Sequence, residues 1–310
     1  MPTDIQGLPV GGASINGDTI TVSYLLNNPR ILEQRIAEAA NIDYWADQVL
    51  PNIGGAPGGV IGYQEWRPDF NFATRKPEEL GADDEVPLTG SQVGDLKMVA
   101  AVPQGLGYVV TDIMRDRNQV WVMNKNERAF ANTLADHFNQ RAVDLVNAAI
   151  AANSRYFTAT DWSTIVTAGS SPTPRASWPH STMALLAAQL VRARIPFGWD
   201  VMLAHPLDVW RLCVIYDTDD LSVVATRLGL RAIVRDTTGR VPHGQPILST
   251  GAGAGGTAWE NALRSEVVDE RRKRRTVVQA TASPAYFVDN PYGLLQLRGV
   301  ADRDIADGVV

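Results

Sequence analysis

The sequence has one cysteine, Cys213, only four histidines, and no apolar run of the ~20 residues that a membrane-spanning helix needs. A single thiol excludes an internal disulfide and any site built from several thiolates, and it fits a reducing compartment. With Leu212, Val214 and Ile215 beside it, Cys213 reads as a small buried apolar residue. The histidines, His137, His180, His205 and His243, are scattered, and none has a partner at a ligand spacing such as HExxH, so no metal site is expected. There is no GxSxG elbow and no lysine-bearing phosphate loop. Positive charge is also in short supply: 34 acidic against 28 basic side chains give a net charge of -6, which argues against a chain that coats itself in nucleic acid. Any DNA contact is expected to be local or weak. The start, MPTDIQGLPVGG, lacks the basic and apolar regions of a secretory signal. No internal repeat is visible.

What is present is a globular composition, 45% apolar over 310 residues, enough for one large or two ordinary cores. Residues 1 to 27 are small and polar, with Gly11-Gly12 and one strand-like run, Thr19 to Val22, and read as an extended arm. Asn28-Pro29 signals a helix, with Asn28 as cap, Pro29 in the first turn and Leu32, Ile36, Ala39 and Ala40 on one stripe. Residues 54 to 96 read as a projecting two-stranded ribbon. One arm holds Val60, Ile61, Tyr63, Trp66, Phe70 and Phe72, the other Val86, Leu88 and Val93, with a charged middle from Arg75 to Glu85. Pro68, Pro77 and Pro87 and flanking glycines suit a ribbon paired on few sides. Arms of ~15 to 20 residues would reach about 50 to 60 Å, and such a ribbon is marginal alone.

Strands are expected over Met98 to Val102 and Tyr108 to Ile113. From about Asn118 to Asn153 the spacing of Phe130, Leu134, Phe138, Ala142, Leu145 and Ala149 predicts a long helix, with Arg128, Asp136, Gln140 and Asp144 turned away. At about 1.5 Å per residue it would cross the whole molecule. Shorter elements follow: a helix after Pro179, a buried strand Val201 to Ala204, a helix after Pro206, and strands at Ala232 to Val234 and Ile247 to Ser249. The end of the chain gives two strands joined through Asp289-Asn290-Pro291-Tyr292-Gly293.

Three further patterns carry possible chemistry. Gly251-Ala252-Gly253-Ala254-Gly255-Gly256 satisfies GxGxxG after a strand, with a possible helix at Trp259 and Glu270 where a ribose-binding acid would stand. Too little chain follows it for a dinucleotide-binding sheet, so a flexible surface loop is the better reading. Asp217, Asp219 and Asp220 lack the glycine and distal glutamate of a calcium loop and read as a solvated loop. Finally, Glu78, Glu79, Asp83, Asp84 and Glu85 cluster at the ribbon tip, and Arg271, Arg272, Lys273, Arg274 and Arg275 form one basic run. Each run alone reads as a solvated face, and the basic one as a nucleic-acid patch. A projecting ribbon can instead carry its acids to the basic run of another copy.

This order of parts resembles the major capsid protein family of tailed bacteriophages, whose fold is shared with encapsulins and herpesvirus capsid floors. The phrases Asp84-Glu85-Val86-Pro87-Leu88, Val201-Met202-Leu203-Ala204-His205-Pro206-Leu207-Asp208, Tyr286-Phe287-Val288-Asp289 and Leu294-Leu295-Gln296-Leu297-Arg298 carry the likeness. It implies an α+β fold with an N-terminal arm and short helix (1 to 53), an E-loop (54 to 97), a P-domain with a spine helix (98 to 156), an A-domain (157 to 275) and P-domain return strands (276 to 310). The function it implies is structural, not enzymatic. Hexamers and pentamers of the chain would form an icosahedral shell around double-stranded DNA, assembled in the host cytoplasm and resident in the virion, with no cofactor, no membrane contact and no sequence-specific DNA binding. A separate scaffolding protein, a portal and a decoration protein are the implied partners. Contacts between copies are expected at Trp66, Phe70 and Phe72, and between the acids of the ribbon tip and Arg271 to Arg275. Some relatives join an E-loop lysine to an asparagine covalently. Lys76 and Asn290 lie in suitable segments, but no glutamate matches, so no cross-link is predicted. The alternatives are an encapsulin-like compartment shell and an α/β enzyme that uses nucleotides through residues 251 to 256.

Overall fold

The structure is a computed structural model that describes residues 14–15, 18–19, 21–80, 85–90 and 92–301. Gly11-Gly12 lies outside the described residues. The chain opens with two paired two-residue strands, β1 (Ser14–Ile15) and β2 (Asp18–Thr19). It then turns helical sooner than the composition suggests, because Val22–Asn27 forms helix α1, not extended arm. Thr21 caps it by accepting from the Tyr24 N–H, and Val22 and Leu25 are fully buried. Asn28, expected to cap the next helix, instead closes this one: its side-chain amide donates to the Tyr24 carbonyl at 2.8 Å. The break falls there because a residue before proline is kept out of the helical region. Pro29 then starts α2 (Pro29–Asp43), which buries Leu32 and Ile36. A single turn, α3 (Ala46–Val49), follows.

Next come β3 (Asn52–Gly55), β4 (Val60–Gln64), β5 (Leu96–Ala100), β6 (Gln104–Thr111) and the short α4 (Asp112–Asp116). The expected spine is α5, Val120–Ala152, 33 residues and about 50 Å long. Its first half packs on α2 and on a four-stranded sheet ordered β3, β11 (Gly256–Glu270), β12 (Arg275–Phe287), β6. Phe130, Leu134 and Phe138 meet Ile36, Ala280 and Ala282 there. After Ala142 the buried stripe moves to Val143, Val146 and Ile150, leaving Leu145 and Ala149 at its edge.

The second sheet is ordered β7 (Tyr156–Thr158), β13 (Leu294–Arg298), β10 (Ile247–Ser249), β8 (Val201–Ala204), β9 (Ala232–Arg235). Alternation in β8 decides the layering. Val201 and Leu203 face Val143, Val146 and Ile150 of the spine. Met202 and Ala204 face an outer layer of α6 (Pro179–Arg192), α7 (Pro206–Tyr216) and α8 (Leu221–Leu228). The chain therefore folds as α+β, with one helix between two sheets.

The long β11–β12 hairpin, registered from Gly256 opposite Phe287 to Glu270 opposite Arg275, lies wholly in the first sheet. The two terminal strands also serve different sheets: β12 pairs with β6, β13 with β10 and β7.

The glycine-rich stretch is neither a flexible surface loop nor the start of a helix. Residues 251–253 form one 3-10 turn, Ala254, Gly255 and Gly256 are buried, and Trp259 lies in strand β11. Strand, turn, strand removes the helix N-terminus that a dinucleotide motif needs, which rules out the nucleotide-using enzyme as derived from this loop. The glycines serve close packing instead. A Cβ on Gly255 would stand 2.3 Å from the Phe287 carbonyl oxygen. Asn290 locks the turn by donating to the Gly253 carbonyl at 2.8 Å and accepting from the Gly293 N–H. Gly255→Ala is therefore expected to destabilise the subunit by about 3 kcal/mol or more. Gly90→Ala, where a Cβ meets nothing within 4 Å, should leave it within about 0.5 kcal/mol; urea unfolding of the dissociated subunit measures both.

Candidate functional site

Residues 54 to 96 are less regularly paired than two long arms: Gly54 and Gly55 belong to the first sheet, Trp66 packs on the body, and the large apolar side chains from Leu80 onward are exposed. The ladder joins β4 to β5 and has five pairs, from Val60 opposite Ala100 to Gln64 opposite Leu96. The partner strand is thus Leu96–Ala100, not the Val86 to Val93 segment. Beyond it the chain is irregular, apart from a 3-10 turn at Pro68–Asn71 and a crossing at Thr74, whose hydroxyl lies 3.2 Å from that of Thr89. Pairing places Val60, Gly62, Gln64, Leu96, Met98 and Ala100 on one exposed face. The opposite face, Ile61, Tyr63 and Val99, is half-buried, with the Tyr63 ring 5.2 Å from Phe287.

The three expected aromatic contacts separate. Trp66 is held at home: its N–H donates to the Asp289 carbonyl at 2.6 Å, and its ring stands edge-on to Phe197 at 5.1 Å and Tyr292 at 6.0 Å. This packing leaves Trp66 only partly buried. Phe70 is half-buried and folds across the loop against Gly94, where a Cβ would lie 3.3 Å from its ring. Phe72 is exposed, with the Arg194 guanidinium 5.3 Å from its ring centre. Past it the loop carries Leu80, Val86, Leu88 and Val93 into solvent, Leu88 being 88% exposed. A residue that large, that apolar and that open has no cover among the described residues. Leu80, Leu96 and Met98 belong to this surface and were missed in the sequence, where Leu96 and Met98 look like the inward positions of a core strand.

Of the acidic tip, Glu78, Glu79 and Glu85 are exposed, and Asp83 and Asp84 lie outside the described residues. Arg75 and Glu78 pair at 2.9 Å. The basic run caps the β11–β12 hairpin: Arg271–Lys273 form a 3-10 turn, Arg274 takes a left-handed conformation (φ 50°), and Arg275 begins the return strand. The two strand-end acids neutralise part of it. Asp269 pairs with Arg271 at 2.9 Å, and Glu270 with Arg275 at 2.5 Å and Lys273 at 3.7 Å. The Arg275 hydrogen bond holds the Glu270 carboxyl below its usual range. Five bases against two acids leave the tip positive. The acid and basic runs belong to different projections, and no ion pair joins them within the described chain.

Elsewhere the side chains with possible chemistry have structural partners. His205 and His243, distant in sequence, stack 5.4 Å apart; His243 Nδ1 lies 2.8 Å from buried Asp208, which also accepts from the Gly244 N–H. Burial raises the Asp208 carboxyl and lowers the His205 imidazole. Among the described residues no group of three or more His, Cys, Asp or Glu is placed to hold a metal ion. Asp217 ends α7 in a left-handed conformation and Asp220 caps α8. Cys213 is only partly buried on α7, not a core residue, and that burial pushes its thiol up. No described helix is long and apolar enough to cross a membrane.

No protein-family model matches this chain, and no curated protein sequence is similar to it. Solved structures are similar in fold. A phage-related protein from Bordetella bronchiseptica superposes with a TM-score of 0.60 at 9% identity, over 88% of this chain and 97% of that one. The capsid structure of cyanophage P-SCSP1u gives 0.56 at 11%, over 84% and 89%. The virus-like particle from Pyrococcus furiosus gives 0.53 at 10%, over 87% and 98%. Similar over more than four fifths of its length to such chains, this protein has the capsid fold of the tailed bacteriophages.

Proposed function

We propose that this chain is the major capsid protein of a tailed phage, a subunit that assembles with its own copies, as hexamers and pentamers, into an icosahedral shell around double-stranded DNA. The observation that carries the reading is the loop between β4 and β5. It puts a row of large apolar side chains, Leu80, Val86, Leu88, Val93, Leu96 and Met98, into water with no cover among the described residues. Burial of one such side chain is worth about 1.5 to 3 kcal/mol, so a neighbouring copy that covers the row gains a favourable contact at every repeat. Repetition over a closed surface makes modest contacts sufficient.

Charge supports the same reading. The exposed Glu78, Glu79 and Glu85 sit on the loop and the positive tip on a separate hairpin, an arrangement that suits a contact between copies. The net charge of -6 suits an inner wall that does not hold packaged DNA tightly. Scaffolding, portal and decoration proteins, and assembly in a host cytoplasm, belong to this proposal as its expected company.

The chain expressed alone or with its neighbouring genes is expected to give closed particles of uniform size in negative-stain microscopy; soluble single copies at every concentration would overturn the proposal. Reversing Arg271, Arg272 and Lys273 to glutamate should abolish particles at low salt and leave folded subunits, whereas unchanged assembly would remove the charge contact. Leu88→Asp should block assembly with subunit stability changed by less than about 0.5 kcal/mol. Trp66→Ala, which opens the chain's own core, should cost about 2 kcal/mol in the isolated subunit.

A further inference from the structure

Helices α6 and α7 are apolar on two sides. Their inner sides bury Leu186 and Leu190, and Val209 and Leu212, against the second sheet. Their outer sides, where a helix on the surface of a single-copy protein carries polar residues, are apolar again. On α7, Leu207, Trp210 and Val214 form one stripe, with Trp210 63% and Val214 54% exposed. On α6 the stripe is Leu185, Ala188 and Val191, with Leu185 60% and Val191 76% exposed.

Past its stripe each helix carries charge of opposite sign. Beyond Val214 stand exposed Asp217 and Asp219; beside Val191 stands exposed Arg192. None of the three has an ion-pair partner among the described residues. The two stripes also match in length, about 10 Å for Leu207 to Val214 and about 9 Å for Leu185 to Val191. Laid side by side in the same direction, they bring Val214 to Val191, the acids to Arg192, and the one large side chain, Trp210, over the one small one, Ala188.

We propose that the outer face of α7 docks on the outer face of α6 of a second copy of this chain. The inference rests on the shell reading above and names a contact that the projecting loop does not supply. The occupant is a second copy because the two faces complement each other in size and charge, while neither complements itself. A two-fold α7–α7 contact centred on the stripe would set Trp210 against Trp210, and a parallel one would also set Asp219 against Asp219. Two different patches make a head-to-tail contact, the kind that builds rings of more than two copies.

The contact is tested in the full chain carrying Cys213→Ser, so that introduced thiols are the only ones. Val214→Cys and Val191→Cys together should give, after mild oxidation of assembled particles, a ladder of covalent multimers on non-reducing denaturing gels, and neither substitution alone should. Asp219→Lys should reduce particle yield, and Arg192→Glu added to it should restore that yield, a rescue that a purely structural role for either residue would not give. Particles without a ladder, or without charge-swap rescue, overturn this contact and leave the shell reading standing. Dimers from Val214→Cys alone overturn it in favour of an α7–α7 contact. A Cys213→Ser chain that forms no oligomer of any kind overturns both.

Discussion

Two sheets that share no hydrogen bonds are joined because one helix buries a stripe against each. The first half of α5 gives Met123, Phe130, Leu134 and Phe138 to the sheet of β6 and β12; the second half gives Val143, Val146 and Ile150 to the sheet of β8, β10 and β13. Between the two stands Asn139, fully buried, whose side-chain oxygen accepts from the backbone N–H groups of Trp45 and Ala46 at 3.2 Å. It does for α3 what no N-cap side chain does, and so fixes the chain leaving α2 against the middle of the spine. At the other end, Asn118, in a left-handed conformation ahead of α5, accepts from the Val22 N–H and ties down α1. Buried Glu127, paired to Arg35 at 2.9 Å, adds a third polar tie between α2 and the spine. An unpaired buried group would cost about 1 to 3 kcal/mol, so these ties set one angle for each element that crosses α5.

Once the spine's inward faces are used on two sheets, the elements furthest from it have little left to pack on. The loop beyond β4 is anchored by Trp66 at its root and by a five-pair ladder, and a two-stranded ribbon of that size is marginal by itself. The outer layer is in the same position: α6 and α7 cover the second sheet with one side and show apolar residues on the other. Apolar surface is thus left over on elements that pack on the rest of the chain with one side only.

The spine was legible in the sequence because its signal is periodic over nine turns; β8 and the helix starts at Pro29, Pro179 and Pro206 were legible because proline and apolar runs punctuate them. What was not legible depends on partners distant in the chain. Val22–Asn27 looks extended by composition, yet Val22, Leu25 and Leu26 find a pocket made by Val110, Val120 and Met123. The glycines of 251 to 256 mimic a phosphate loop locally, and only the approach of Phe287 and Asn290 explains them. Leu96 and Met98 alternate like core residues, and only their pairing with Gln64 and Gly62 turns them outward. Trp66 shows packing that its run does not signal: its backbone bond to Asp289 and its edge-on contacts with Phe197 and Tyr292 depend on partners distant in the chain. The basic run was visible as a run, and its neutralisation by Asp269 and Glu270 follows from the hairpin register.

A fold that persists at such low identity is carried by pattern, not by particular residues: apolar stripes of the right period and volume suffice for a core. Function then lies in the surfaces that the pattern leaves free. On this chain those surfaces are of two kinds. In the proposed shell the hairpin tip would act over distance, through charge that salt screens within about 10 Å, and the loop through exposed apolar side chains that act only on contact. The proposed contact of α7 with α6 would draw its energy from close apolar fit on helices packed against the second sheet. A long-range contact can find a neighbour before the register is right, and a close-fitting one can then fix the register. In such a shell, separating the two tasks would let copies of one chain meet at more than one angle without losing specificity.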